Sequence, residues 1–253
     1  MEKRDNRWVP GKGRQRDRYP IDDTEKNQPI PLANVRSWLL APANKQRLED
    51  HLDWYLTRYE GRQFEWFAAL GRGRQFTSFH ILAAESLSVN VPSSAARWLL
   101  EPDGRRNDLL EVIHHSLVSG SNTLWSCDVA LLKGNKMDLK SSGALYELYW
   151  NLRTLGTYDF TRGGIGQVTT SKLLAAMFPG VVPIRDSMVE ALLSLSDGDK
   201  WWLMARKLLE DDGGLLVQFL DGLRTPEGSG ELTILRRLDI VLWMEANARK
   251  FVS

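Results

Sequence analysis

The chain has 253 residues, 43% of them hydrophobic and 26% charged, with a formal net charge of +1. That length and mix suit one or two domains with a sizeable core, and they exclude a disordered or low-complexity chain. The near-neutral balance excludes a global basic field, the single cysteine (Cys127) excludes an intramolecular disulfide and fits a reducing cytoplasm, and no apolar run or signal-peptide core points to a membrane.

Residues 1–30 read as a flexible basic arm. It carries Lys3, Arg4, Arg7, Lys12, Arg14, Arg16 and Arg18 against Glu2, Asp5 and Asp17, with Trp8 and Tyr19 as aromatic anchors. Such an arm suits phosphate contacts. The remainder, residues 31–253, reads as an all-α region. Leu32 to Leu40 predicts a short helix, and Asn44 caps a longer one from Lys45 to Tyr59, closed by Gly61 as a C′ residue. Phe64 to Phe67 fits strand or helix, and Gly71 to Arg74 is a basic turn. Thr77 starts a helix through Leu87 that packs with Phe79, Leu82, Ala83 and Leu87. Ser93 or Ser94 caps Ala95 to Glu101.

Asn107 to Leu117 and Ser121 to Leu132 read as helices. The His114–His115 pair sits on the first of these, where adjacent residues share no face, so no metal site is expected. Ala144 to Leu155 puts Leu145, Leu148, Tyr149, Leu152 and Leu155 on one stripe. Helices follow over Ser187–Leu195, Trp201–Leu209, Gly214–Leu223 and Leu232–Lys250, with a loop from Thr225 to Gly230. The expected architecture is a bundle of about ten helices, without repeats.

The most informative stretch runs from Thr161 to Asp186. Gly164-Ile165-Gly166 suits a tight turn with positive φ. Gln167 to Phe178 contains neither Pro nor Gly and predicts a helix leaving that turn, its free N–H groups directed at whatever lies beyond. A phosphate fits such a terminus. Pro179-Gly180 ends the helix and Pro183 forces an extended link. Asp186 then precedes Ser187-Met188-Val189-Glu190, where it suits an N-cap.

A Gly-hydrophobic-Gly hairpin, a helix, a Pro-containing link and an Asp opening the next helix resemble the helix-hairpin-helix DNA glycosylase superfamily. The resemblance implies an all-α fold with a base pocket between two helical halves. It also implies Asp186 as the catalytic residue, stabilising an oxocarbenium-like sugar and activating water. The hairpin would hold the DNA backbone through Gly164, Gly166, Gln167, Thr169 and Thr170, with Lys172, Arg162 and Arg185 as further backbone contacts. The partner would be double-stranded DNA bearing a damaged or modified base, which is flipped out and excised. The protein would act as a monomer in the cytoplasm, without metal or cofactor. Bifunctional members carry a Lys two residues after the second glycine, where this chain has Val168; the resemblance therefore implies a monofunctional enzyme. The four-cysteine iron–sulfur loop of many members is absent. An antiviral role, excising a modified base of phage DNA, is an extension of this reading. The alternative is a helix-hairpin-helix module that binds DNA without chemistry, in which Asp186 only caps its helix.

Three further segments are similar to an uncharacterised bacterial family over about residues 75–250. These are Phe79 to Val89 with its Val91-Pro92 continuation, Ser171-Lys172-Leu173-Leu174-Ala175 with Val182-Pro183-Ile184-Arg185-Asp186, and Leu235 to Met244. Cys127 reads as a buried thiol, since nothing near it in sequence suggests a lowered pKa. Asp138, Glu147 and Asp159 flank the hairpin region and read as surface carboxylates.

Overall fold

The computed structural model describes residues 25–101, 104–119, 123–124, 127–134, 137–155, 165–195, 201–210 and 212–249. Residues 1–24 of the expected arm, and Thr161 to Gly164 with their two expected DNA contacts Arg162 and Gly164, lie outside the described residues. Among the described residues there are thirteen α-helices and no strand.

The first half runs α1 (Val35–Leu40), α2 (Lys45–Arg58), α3 (Gln63–Leu70), α4 (Ser78–Ser86), α5 (Ser93–Leu100), α6 (Gly104–Ser119) and α7 (Val129–Leu132). The second half runs α8 (Ala144–Arg153), α9 (Gly166–Met177), α10 (Ser187–Leu192), α11 (Trp201–Glu210), α12 (Leu215–Asp221) and α13 (Ile234–Ala248). Phe64 to Phe67 is thus helical. Of the helix expected from Ser121 to Leu132, only Val129 to Leu132 is helical among the described residues; Thr123, Leu124, Cys127 and Asp128 are not helical.

Two helices organise the packing. Every residue of α9 from Thr169 to Met177 is buried, and α13 buries eleven of its residues. Helices without an exposed face belong to an interior. α9 packs against α3, α4 and α8, while α13 packs against α2, α10 and α12. The α8 stripe of Leu145, Leu148, Tyr149 and Leu152 is buried as its spacing requires.

Two local expectations change. In α4 the buried residues are His80, Ile81, Ala83 and Ala84, whereas Phe79 and Leu82 are 36% and 40% exposed. The helix packs against both α3 and α9, and His80, Ile81, Ala83 and Ala84 are the residues it buries. Gly61 is not a left-handed C′ residue. It sits in a 3-10 turn (Glu60–Arg62), and a Cβ there would lie 2.1 Å from Cε1 of Tyr59. Its role is to let the Tyr59 ring lie against the backbone.

Several arginines secure carbonyls at the ends of helices, where four C=O groups lack helical partners. Arg36 donates to Lys207 and Leu208 carbonyls at 2.9 and 2.7 Å, and Arg237 to Leu220 and Leu223 at 3.2 and 2.7 Å. The chain enters the fold beside the place where it leaves. The Asn27 N–H donates to the Arg249 carbonyl (2.9 Å), Arg249 donates to the Gln28 carbonyl (3.0 Å), and the Ile30 N–H reaches the Leu192 carbonyl at the end of α10 (2.7 Å).

Candidate functional site

Gly166 opens α9 with φ +79°, the left-handed region that a Cβ disfavours. One turn later the side chains go inward. Thr170 Oγ1 donates to the Gly166 carbonyl (2.7 Å), and Ser171 Oγ donates to Val168 (2.8 Å). Ser171 Oγ also accepts the N–H of Arg185 at 3.0 Å, and Asp239 Oδ2 on α13 accepts the N–H of Ile184 at 3.0 Å. The extended link after Pro183 offers its N–H groups to no helix or sheet. Two side chains, one from each organising helix, take them instead. The link is thereby fixed, and Asp186 with it.

Asp186 divides its carboxylate between two tasks. Oδ1 accepts the N–H of Met188 at 2.9 Å, an N-cap on α10. Oδ2 lies 3.9 Å from the Lys172 ammonium nitrogen. Lys172 Nζ also donates to the Leu87 carbonyl at the end of α4, 2.9 Å away. The residue is 5% exposed. Burial holds its amine below the ordinary lysine range; Asp186 opposes that shift and Arg236 adds to it.

Lys172 and Asp186 line a cavity with an empty volume of about 400 Å³, which includes the space at its mouth. One wall is aromatic, made by Tyr55 and Tyr59 from the end of α2 and Trp243 of α13. The Tyr59 and Trp243 rings lie 4.8 Å apart at 31°. The floor is ionic. Arg236 reaches Glu65 at 2.6 Å, Tyr55 Oη at 3.3 Å and Asp239 Oδ2 at 3.3 Å, and sits over the Phe64 ring at 4.6 Å. A wider groove shares Arg236 with this cavity and is lined also by Trp66, 57% exposed, and by Arg62 and Arg72. The smaller cavity is the candidate site because its polar groups are buried and converge.

The other residues singled out in sequence have defined places. Arg185 Nη1 donates to Gln167 Oε1 and Arg185 Nε to Glu190, so these side chains tie the start of α9 to α10. Thr169, Thr170 and Lys172 are buried and present no surface to a phosphate in this conformation. Cys127 is buried, its thiol pushed up by burial and donating to the Leu124 carbonyl at 3.3 Å. Sequence reasoning missed Asp239, Arg236 and the tyrosines of α2. The available signal was in the late segment Leu235 to Met244, where Arg236 and Asp239 fall at helical spacing beside the apolar run Ile240 to Met244.

Residues 48–246 match the model of a family described as a family of unknown function (DUF6308). The chain belongs to this family. No curated protein and no solved structure matches the chain. The matched span contains every residue of the cavity and the three segments Phe79 to Val89, Ser171 to Asp186 and Leu235 to Met244. The Arg185 N–H to Ser171 bond closes the second of these segments on itself, and the Ile184 N–H to Asp239 bond joins it to the third.

Proposed function

We propose that the chain is a DNA glycosylase that flips a damaged or modified base out of double-stranded DNA and hydrolyses its N-glycosidic bond. The observation that carries this reading is the divided carboxylate of Asp186. One oxygen is spent on the cap, and the other stands on the wall of an aromatic-sided cavity beside a buried lysine. In this reading a flipped base enters between α9 and α13. Stacking on aromatic rings is worth roughly 1–3 kcal/mol per base, which offsets a flipping cost of a few kcal/mol. Asp186 faces C1′ of the sugar and stabilises the positive charge that develops there as the C1′–N bond breaks. A water oxygen bonds to C1′, and its proton is taken up by the carboxylate or the departing base. The amides opening α9 at Gly166 hold a phosphate, and residues 1–24 add charge-driven affinity. The protein works as a monomer in the cytoplasm, on cellular lesions or on modified bases of phage DNA.

The test is base release from uracil-containing, alkylated, oxidised and modified-cytosine DNA, with alkali used to cut abasic sites. Asp186→Asn is the informative variant, because Asn caps a helix as well as Asp does. Fold and DNA binding should be retained while base release falls by at least a hundredfold. Salt-sensitive DNA binding with no base release from any DNA supports the non-catalytic module instead. The Lys172 amine, 3.9 Å from Asp186, favours one variation of the chemistry. An amine in that place can attack C1′ itself. Strand cleavage without alkali and covalent trapping by borohydride, both lost in Lys172→Met, would establish that variation over hydrolysis by water.

A further inference from the structure

The candidate cavity contains a polar atom that the fold does not use. Asp239 is 6% exposed and lines the cavity. Its Oδ2 accepts from the Ile184 N–H and from Arg236. Its Oδ1 is buried and has no hydrogen-bond partner among the described residues. Buried carboxylate oxygens are nearly always bonded, because leaving one without a donor is costly. Asp239 lines the cavity, so this unused acceptor lies close to whatever enters. The charged and titratable groups around it come from every neighbouring element: Arg236 on its own helix, Glu65 on α3, Tyr55 on α2, Lys172 on α9, and Asp186 at the head of α10. Glu65 and Asp239 share the one guanidinium of Arg236. Burial pushes Asp239 up to about 7, against the pull of Arg236. Near neutral pH the proton is therefore easily gained or lost, and a donor from a ligand would secure the carboxylate.

We propose that Asp239 is the specificity-determining residue of this cavity: its Oδ1 accepts an N–H from a planar nitrogen heterocycle lying against Tyr59 and Trp243. The cavity thus selects rings that present a donor on the edge facing α13 and rejects rings of the same shape without one. This deepens the base-pocket reading and rests on it for its biological meaning. The physical claim needs only that a ring enters the cavity.

Two pairs of small probes test it on the full chain by ligand-observed NMR. They are 4-pyrimidinone against pyrimidine, and uracil against 1,3-dimethyluracil; the first member of each pair carries a ring N–H. At pH 8 the N–H rings should bind at least about tenfold more tightly, the worth of one hydrogen bond to a charged group. In Asp239→Asn the carboxamide oxygen keeps the Ile184 and Arg236 contacts, which places an NH2 group where Oδ1 was. The preference should then invert toward rings that offer only acceptors. An unchanged preference in folded Asp239→Asn, or no preference in either protein, overturns the proposal. Should that variant not fold, the pH dependence of the unmodified protein decides. The advantage of 4-pyrimidinone over pyrimidine should shrink as pH falls through about 7, where the carboxylate takes up its proton. An advantage constant from pH 8 to 5.5 overturns the assignment. Probe selectivity without base release from any DNA would remove the glycosylase reading and leave this one. Base release without probe selectivity would do the reverse.

Discussion

Lys172 enters the cavity from a helix whose every neighbour from Thr169 to Met177 is buried, so its amine has exchanged water for a carbonyl and a carboxylate. The unfolded chain restores the ordinary value of 10.5. Because burial lowers the folded value, the unfolded chain binds more protons just below pH 10.5, and stability rises with pH across that window. Denaturant unfolding between pH 7 and 10.5 should show that rise, and Lys172→Met should flatten it. Equal pH slopes in the two proteins would mean that the amine is solvated. Asp186 beside it illustrates how a cap and a candidate catalytic group need not be alternatives. The cap uses Oδ1 alone, and the geometry leaves Oδ2 for the cavity.

At the scale of single elements, α4 shows how a cap can carry pH dependence. The Thr77 N–H donates to Nδ1 of His80 at 3.0 Å, with the ring 1% exposed. Burial lowers His80 to about 4 from an ordinary 6.5. The unfolded chain takes up the proton first, so the contribution is fully present above pH 6.5 and is lost as pH falls through about 4. The loss amounts to about 3 kcal/mol at 1.36 kcal/mol per pH unit. Gln completes a capping box with Thr, so His80→Gln should keep the helix and remove most of that acid limb, read as unfolding midpoint against pH. An unchanged acid limb would assign the sensitivity to other groups.

The elements differ in how much of them the sequence disclosed. The α8 stripe follows from spacing alone, because that helix buries one face. For α4 the apolar spacing misled: the buried residues are His80, Ile81, Ala83 and Ala84, which leaves Phe79 and Leu82 part-exposed. Gly61 was misread for a related reason, since its constraint comes from the Tyr59 ring and not from its own φ. The link to Asp186 was legible through Pro183, whereas Asp239, fifty-five residues from the N–H it receives, was not. No periodicity encodes a bond of that separation.

Across the whole molecule several arginines are bonded to its own carbonyls and carboxylates. Arg36 and Arg237 close helix ends, Arg236 binds Glu65 and Asp239, and Arg47 and Arg249 meet Glu245 at 2.6 Å each, where Glu245 also takes His51 at 2.9 Å. A formal charge of +1 therefore understates how many guanidinium groups the fold requires. Replacing Arg by Lys at such forked sites would not be conservative. Glu245 illustrates the coupling: it gathers α2, α13 and, through Arg47 and Glu25, the segment by which the chain enters.

That entry has a topological consequence. Because the Asn27 N–H is bonded to the Arg249 carbonyl, the described backbone closes nearly into a circle. A circle has no privileged starting point. A permuted gene that joins residue 249 to residue 25 through a short glycine–serine linker, and opens the chain between Gly228 and Gly230, breaks a loop and leaves the cavity whole. Its product should unfold cooperatively with a midpoint within a few degrees of the parent, whereas opening the circle between Pro183 and Asp186 should abolish folding.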